Sequence, residues 1–145
     1  MNILVLGAGA IGSVFGGLLA KAGHNVFLVG RKSHVVKIRE RGLKIEGIWG
    51  NHLIKNLVCD VSVENIVKQA SVNFDIVLLS VKSYDTSAMI GSLKKYVPVV
   101  PPVLSLQNGL GNIEQIEAVV GEEKTIGARI IFGVEFEKPG EVKVT

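Results

Sequence analysis

Six residues near the amino end, Gly7-Ala8-Gly9-Ala10-Ile11-Gly12, carry the spacing G-x-G-x-x-G, and the chemistry open to that spacing is the grip of a pyrophosphate. The first glycine makes a tight turn, the second lets backbone approach an anion, and the third lets a helix pack closely on a sheet. No lysine is needed, because unpaired N–H groups and the positive end of a helix dipole favour the negative charge. A second chemical signal comes at Gly30-Arg31-Lys32-Ser33. An NAD-binding domain usually places an acid about 20 residues beyond the glycines to bond the ribose 2′-hydroxyl, and this segment has none. A guanidinium forms paired, charge-assisted bonds to phosphate, so Arg31 points to NADP(H) over NAD(H). Lys32 alone reads equally well as a phosphate contact or a solvated charge.

Two further polar residues follow apolar segments, Lys82 in Val81-Lys82-Ser83 and Asn108 in Gln107-Asn108-Gly109. The Lys82 ammonium would neutralise a phosphate or a carboxylate, although a lysine in such a loop is commonly just solvated. Asn108 can donate its amide to a carbonyl or carboxamide, or serve only as half of an Asn-Gly turn.

These residues need elements to position them. The run Asn2 to Leu6 reads as a buried strand, and Ala10 to Ala22 as a helix burying Ile11, Phe15, Leu18 and Leu19, with Gly16 and Gly17 allowing close contact. A second strand covers Val26 to Val29. Ser33 to Arg41 reads as a helix with Ser33 as N-cap and Gly42 as its stop. Leu43 to Ile48 and His52 to Leu57 read as a hairpin through Trp49-Gly50-Asn51. Val63 to Gln69 is a short helix, and Phe74 to Val81 is an almost unbroken apolar strand suited to the centre of a parallel sheet. Asp85 to Tyr96 and Asn112 to Val120 read as helices, and Val103 to Leu106 as the strand between them. Thr125 to Phe132 and Glu141 to Val144 read as strands around the turn Glu137-Lys138-Pro139-Gly140. Together they predict a doubly wound, mainly parallel α/β domain of Rossmann type, with a hairpin insertion and an antiparallel carboxyl-terminal edge. In such sheets a ligand lies beyond the carboxyl ends of the strands, where the glycine turn, Lys82 and Asn108 all fall.

Composition limits the alternatives. With 48% hydrophobic and 20% charged residues over 145 positions, the chain suits one globular domain. No apolar run reaches the length of a membrane span, and the amino end enters a strand directly, without the basic and apolar regions of a signal peptide. A cytoplasmic protein is expected. The single Cys59 has no internal disulfide partner, and no Cys/His spacing predicts a metal site. The net charge of +3 suits an anionic cofactor, since no basic stripe with interleaved aromatics suggests nucleic acid.

Taken in order, Gly7-Ala8-Gly9-Ala10-Ile11-Gly12, Arg31, Val81-Lys82-Ser83-Tyr84 and Gln107-Asn108-Gly109-Leu110-Gly111 resemble the amino-terminal domain of the ketopantoate reductase (2-dehydropantoate 2-reductase) family. The likeness covers almost the whole chain, with Gly127 through Gly133 and Lys138-Pro139-Gly140 matching a small-residue strand and a hairpin. It implies NADPH-dependent reduction of a 2-oxo acid to a 2-hydroxy acid on the path to pantothenate and coenzyme A. It implies that Gly7, Ala8, Gly9, Ala10, Ile11 and Gly12 hold the pyrophosphate and Arg31 the 2′-phosphate. Lys82 and Asn108 would lie near the nicotinamide, Asn108 also touching substrate, and Gly133 would contact the cofactor through its backbone. Arg129-Ile130-Ile131 departs from the small and hydroxyl residues usual there. The family's catalytic lysine and its substrate-orienting residues come from a second, helical domain, which is expected to be absent from this chain, and no lysine here matches the acid. A separate helical domain or a homo-oligomer is therefore an expected partner. The competing readings are a nucleotide-sensing regulatory module, which usually carries an acid where Arg31 stands, and a related reductase acting on another ketone.

Overall fold

Ile3, Leu4, Val5 and Leu6 are each at most 2% exposed, so the strand they form has to lie at the centre of a sheet covered on both faces. The computed structural model describes residues 1–145 and places that strand, β1 (Asn2–Leu6), between two parallel neighbours. In chain order there follow α1 (Ala10–Lys21), β2 (Asn25–Val29), α2 (Lys32–Arg41), β3 (Leu43–Gly47), β4 (His52–Ile54), β5 (Val58–Asp60), α3 (Val63–Ala70) and β6 (Ile76–Leu79). Then come α4 (Thr86–Tyr96), β7 (Val103–Ser105), α5 (Asn112–Val120), β8 (Thr125–Gly127), β9 (Val134–Lys138) and β10 (Glu141–Val144). The main sheet has the order β5-β2-β1-β6-β7-β8, with every pair parallel. The chain winds outward from β1 through β2 to β5 and then returns to start again at β6. The direction therefore reverses between β1 and β6, where an open α/β sheet forms its ligand crevice.

Alternate side chains of β1 feed two cores. Ile3 and Val5 join Val14, Leu28, Val35 and Ile38 beneath α1 and α2, while Leu4 and Leu6 join Ile66, Ile90, Leu93 and Ile116 beneath α3, α4 and α5. This doubly wound arrangement is the one the sequence predicts.

The second sheet departs from expectation. The hairpin β3-β4 is present, with Leu43 opposite Ile54, but the carboxyl-terminal strands do not form an antiparallel edge on the main sheet. Instead β10 pairs parallel to β3 and antiparallel to β9, giving a four-stranded mixed sheet β4-β3-β10-β9. Val142 and Val144 are almost fully buried on its inner face, and α1 is what they and Ile45 have to cover. The paired glycines of α1 explain how one helix serves two sheets. A Cβ on Gly16 would sit 3.3 Å from Leu28 of the main sheet, and one on Gly17 would sit 2.6 Å from Ile45 of the second. No other residue at 17 lets the second sheet approach so closely.

Other boundaries also shift. The predicted strand Thr125 to Phe132 stops at Gly127, because the Asn108 carboxamide takes both the N–H and the C=O of Ile130 that a longer strand would offer to a neighbour. The predicted strand His52 to Leu57 ends at Ile54. Asn56 then donates to the Ala20 carbonyl (2.8 Å), and the chain re-enters the main sheet as β5. Ser33 is not an N-cap. Arg31 holds that position, its carbonyl accepting from both His34 and Val35, and α2 begins without a side-chain cap. No helix is long and apolar enough to cross a membrane.

Candidate functional site

The glycine turn leaves β1 at Gly7, whose φ of 110° suits only glycine at little cost. It is braced from three sides. The N–H groups of Gly7 and Ala8 both donate to the Val29 carbonyl (3.1 and 2.8 Å), which locks the turn to the end of β2. Ser80, at the end of β6, donates its hydroxyl to the Gly7 carbonyl (2.7 Å). A Cβ at Gly7 would lie 2.7 Å from the Val81 nitrogen, and one at Gly12 would overlap the Gly7 carbonyl oxygen and the Ser80 hydroxyl. Gly9 is the exception, since a Cβ there would meet nothing within 4 Å.

The open side at Gly9 is also the side with free donors. Gly9 is the N-cap of α1, and the Ser13 N–H is the first to bond back, to the Gly9 carbonyl at 3.0 Å. The N–H groups of Gly9, Ala10, Ile11 and Gly12 have no acceptor within the protein. No acidic residue occupies the first turn of the helix. Four unpaired amides, a helix dipole and empty space at Gly9 fit a pyrophosphate in size and charge.

Arg31 stands two residues past β2, whose last carbonyl anchors the glycine turn, so the two features share one rim of the crevice. The turns touch, because a Cβ on Gly30 would come 2.5 Å from the Ala8 Cβ. The Arg31 side chain is exposed and caps nothing. The nearest carboxylate along this rim, Asp60 at the end of β5, is spent on structure. Burial would raise its pKa, but hydrogen bonds from Asn65, the Val61 N–H, Gln69 and Arg39 outweigh that and hold it at about 2. A carboxylate so paired leaves Arg31 and the adjacent Lys32 as unpartnered charges at the edge.

On the other rim, Lys82 is exposed and opens the short 3₁₀ turn Ser83–Asp85, and its carbonyl accepts from Asp85 (2.8 Å). The loop that carries it is held by Gln107, to which sequence reasoning assigned no role. The Gln107 amide nitrogen donates to the Val81 carbonyl and the Thr86 hydroxyl (both 2.7 Å), and its oxygen accepts from Ser105 (3.1 Å). Gln107→Leu should therefore lower unfolding stability by about 2 kcal/mol, read by urea denaturation, since it strips a donor from two partly buried acceptors at once. An unchanged midpoint would show that the loop is held by other means.

Asn108 is turned toward the protein. Its amide nitrogen donates to the Ile130 carbonyl and its oxygen accepts the Ile130 N–H, both at 3.1 Å, which leaves one N–H and one lone pair for any ligand. Asn112, a further residue missed from sequence, donates to the carbonyls of Asn108 and Gly109 (3.2 and 3.4 Å) and shapes that loop from beneath. Gly133 sits just before β9, where its carbonyl accepts from Thr145 (3.0 Å) and a Cβ would collide with the Thr145 hydroxyl. That hydroxyl can rotate aside, so the contact does not by itself require a glycine at 133. The structure thus places the glycine turn, Arg31, Lys82 and Asn108 after the carboxyl ends of β1, β2, β6 and β7, and Gly133 directly before β9, three residues past the Ile130 that Asn108 holds.

A Rossmann-type sheet with a glycine turn of unpaired amides at its switch point defines the class, the nucleotide-domain architecture shared by many dehydrogenases and reductases. Comparison with known proteins narrows it. The family model described as ketopantoate reductase PanE/ApbA matches residues 3–145. The 2-dehydropantoate 2-reductase of Pyrococcus abyssi is 45% identical over all of this chain and 45% of that protein, and that of Aquifex aeolicus is 40% identical over all of this chain and 44% of its own length. Among solved structures, 2-dehydropantoate 2-reductase from Geobacter metallireducens superposes with a TM-score of 0.87 at 30% identity, covering 99% of this chain and 46% of that one. The D-mandelate dehydrogenase complex with NADH and anilino(oxo)acetate gives 0.84 at 30% identity, over 100% and 46%. The chain belongs to the ketopantoate reductase family, a family of oxidoreductases, and spans just under half the length of these relatives.

Proposed function

We propose that this chain is the NADPH-binding portion of a reductase that converts 2-dehydropantoate, a 2-oxo acid, to pantoate for pantothenate and coenzyme A synthesis. The observation that carries the cofactor reading is the row of four unpaired N–H groups, Gly9 to Gly12, opening toward the same rim as an unpartnered Arg31. When bound, NADPH supplies a hydride for the carbonyl carbon of the substrate. The chain's own residues hold and orient. Gly7, Ala8, Gly9, Ala10, Ile11 and Gly12 form the pyrophosphate grip, Arg31 takes the 2′-phosphate in a bidentate pair, and Lys82 neutralises a phosphate or the substrate carboxylate. Asn108 offers its remaining N–H to the nicotinamide side. Gly133, three residues past the Ile130 that Asn108 holds, offers a backbone contact to the cofactor.

No residue here is assigned as the proton donor to the developing alkoxide. In this reading that acid comes from the helical portion to which the other half of the relatives corresponds, so these 145 residues bind NADPH without turning over. Ile126 on β8 and Ile131 in the loop after it, both exposed, offer apolar surface to that portion or to a second copy. The names of the relatives and the oxo-acid analogue in the D-mandelate dehydrogenase complex both support a 2-oxo acid as substrate.

That same complex contains NADH, which favours a second reading, an NADH-dependent reductase of another 2-oxo acid. Calorimetric titration separates the two. NADPH should bind at least about 10-fold tighter than NADH, as one charge-assisted pair to the 2′-phosphate predicts, and Arg31→Ala should erase the preference without weakening NADH. Equal affinities in the unaltered chain would remove the NADPH reading. Turnover of 2-dehydropantoate by this chain alone would remove the claim that its catalytic acid lies elsewhere.

A further inference from the structure

His34 is 1% exposed, and both of its ring nitrogens are committed. The Gly140 N–H donates to Nδ1 (2.8 Å), so Nδ1 carries no proton, and Nε2–H is left to donate to the Ser13 hydroxyl (2.9 Å). The ring also packs on Phe136, with centroids 4.8 Å apart. Burial pushes its pKa down to about 4, in keeping with the neutral ring these two bonds require. The ring joins three separate parts of the fold. Ser13 follows Gly12 directly on α1, His34 itself sits in the first turn of α2 with its N–H bonded to the Arg31 carbonyl (3.1 Å), and Gly140 is in the β9-β10 turn.

The two helix starts thus joined are the two ends of the nucleotide grip. The pyrophosphate amides belong to α1, and Arg31 is the N-cap of α2. A single dinucleotide can engage both only if their separation is fixed, because a misplacement near 1 Å forfeits much of a bidentate pair. The β2 strand sets the coarse distance. Arg39, bonded to the Cys59 carbonyl and the Asp60 carboxylate, holds the far end of α2 to β5, whereas His34 holds the first turn, the one beside Arg31.

We propose that His34 is a positioning residue for 2′-phosphate recognition, bracing the start of α2 against Ser13 of α1 and against the β9-β10 turn so that Arg31 faces the phosphate. This rests on the NADPH reading above. The second sheet then has a task in cofactor choice, since its hairpin tip supplies one of the two bonds that hold the brace.

The test measures dissociation constants for NADPH and NADH with His34→Phe, which keeps a ring of similar bulk and loses both hydrogen bonds. NADPH should weaken about 5- to 10-fold and NADH less than about 2-fold, so the preference shrinks; a coupling of this size is ordinary for residues sharing one network. In an Arg31→Ala background the same substitution should change neither affinity further. Equal weakening of both nucleotides, or no change in either, would overturn the proposal and leave His34 a purely structural brace. Should His34→Phe not fold, Ser13→Ala removes only the α1 partner and should still cut the preference by about 3-fold; an unchanged preference there has the same overturning force. Absence of any NADPH preference in the unaltered chain is a separate outcome and removes the cofactor reading itself.

Discussion

Gly12→Ala is expected to lower the unfolding free energy by about 3 kcal/mol or more, and Gly9→Ala to leave it within about 0.5 kcal/mol while abolishing tight nucleotide binding. Each change adds the same methyl group three residues apart, and the surroundings decide the result. At Gly12 the added carbon would overlap the Gly7 carbonyl and the Ser80 hydroxyl, two groups that hydrogen-bond each other at 2.7 Å and tie β6 to β1. Backbone cannot swing aside as a long side chain can, so either the turn opens or α1 lifts off the sheet. For a domain of this size such a loss is a large share of a total stability that is commonly about 5–15 kcal/mol. At Gly9 the methyl enters empty space, and its backbone, with φ −80° and ψ −162°, is open to alanine. That space is where a pyrophosphate has to approach the four free amides. Urea denaturation reads the first effect and calorimetric titration with NADPH the second. If Gly9→Ala binds NADPH as well as the parent chain, the phosphates do not sit on this turn. If Gly12→Ala is as stable as the parent, the bracing by Ser80 is not what shapes the turn.

The main sheet was legible because its signals are local. A buried strand followed by G-x-G-x-x-G and a helix can be read without knowing what lies beside it, and the run around Val77 to Leu79 can be covered only on both faces. The buried face of that helix is not the one the sequence predicts: Val14, Gly16, Gly17 and Ala20 are buried, and the expected Ile11, Phe15, Leu18 and Leu19 are only half-buried, because two sheets close on the glycine side. The elements that were misread depend on partners distant in sequence. β5 is three residues long, too short for any period to show, and exists because Phe27, Leu28 and Val29 offer it an edge. β9 alternates only over Val134-Glu135-Phe136-Glu137, too short a run to stand out beside the turn residues that follow, and Glu135 to Lys138 are exposed. β10 has the alternation, but nothing local says that Val142 and Val144 pair beside Ile45 and Gly47 of β3, far earlier in the chain, and not on the main sheet. Ser33 looked like a helix cap on residue type, while the chain used the Arg31 carbonyl instead.

The candidate site divides along the same line. Residues that would face a ligand, such as Arg31 and Lys82, stand out in sequence as charges directly after strands, and a charge missing from its usual place, the acid after β2, is equally visible. Residues that hold those loops do not stand out. Ser80 and Gln107 become meaningful only once β1, β6 and β7 are known to lie side by side, because each bonds to the backbone of a neighbouring strand's loop, while Asn112 acts locally on the carbonyls of Asn108 and Gly109. Asn108 shows the limit of motif reading. Its type and position fit a ligand contact, yet both ends of its carboxamide are engaged with Ile130. The amide that shapes the loop and the amide that would meet a ligand are one and the same group.

Asp60→Ala is the other change expected to have a large effect, a loss of about 2–4 kcal/mol at neutral pH. Its carboxylate is 6% exposed by residue and accepts from the Val61 N–H (2.7 Å), Asn65 (2.7 Å), Gln69 (2.8 Å) and the Arg39 guanidinium. Removing it strands two amide side chains of α3 and frees one arm of Arg39, which keeps its two bonds to the Cys59 carbonyl (3.0 and 2.7 Å). The guanidinium is half exposed, so the loss stays below that of a fully buried pair. The pH dependence tests the assignment. With a folded pKa of about 2 against 3.8 for the free group, the unfolded chain binds more protons between those values, so stability rises with pH across that window. The contribution is complete above pH 3.8 and disappears as pH falls through about 2. Denaturation curves of the parent and Asp60→Ala should therefore run parallel from pH 7 to 5 and converge below pH 4. A gap that stays constant to pH 2 would mean that packing, not the charge, is what Asp60 supplies. Nucleotide preference should survive the substitution, because the bond from the Gly30 N–H, next to Arg31, goes to the Asp60 main-chain carbonyl (3.0 Å), which alanine retains.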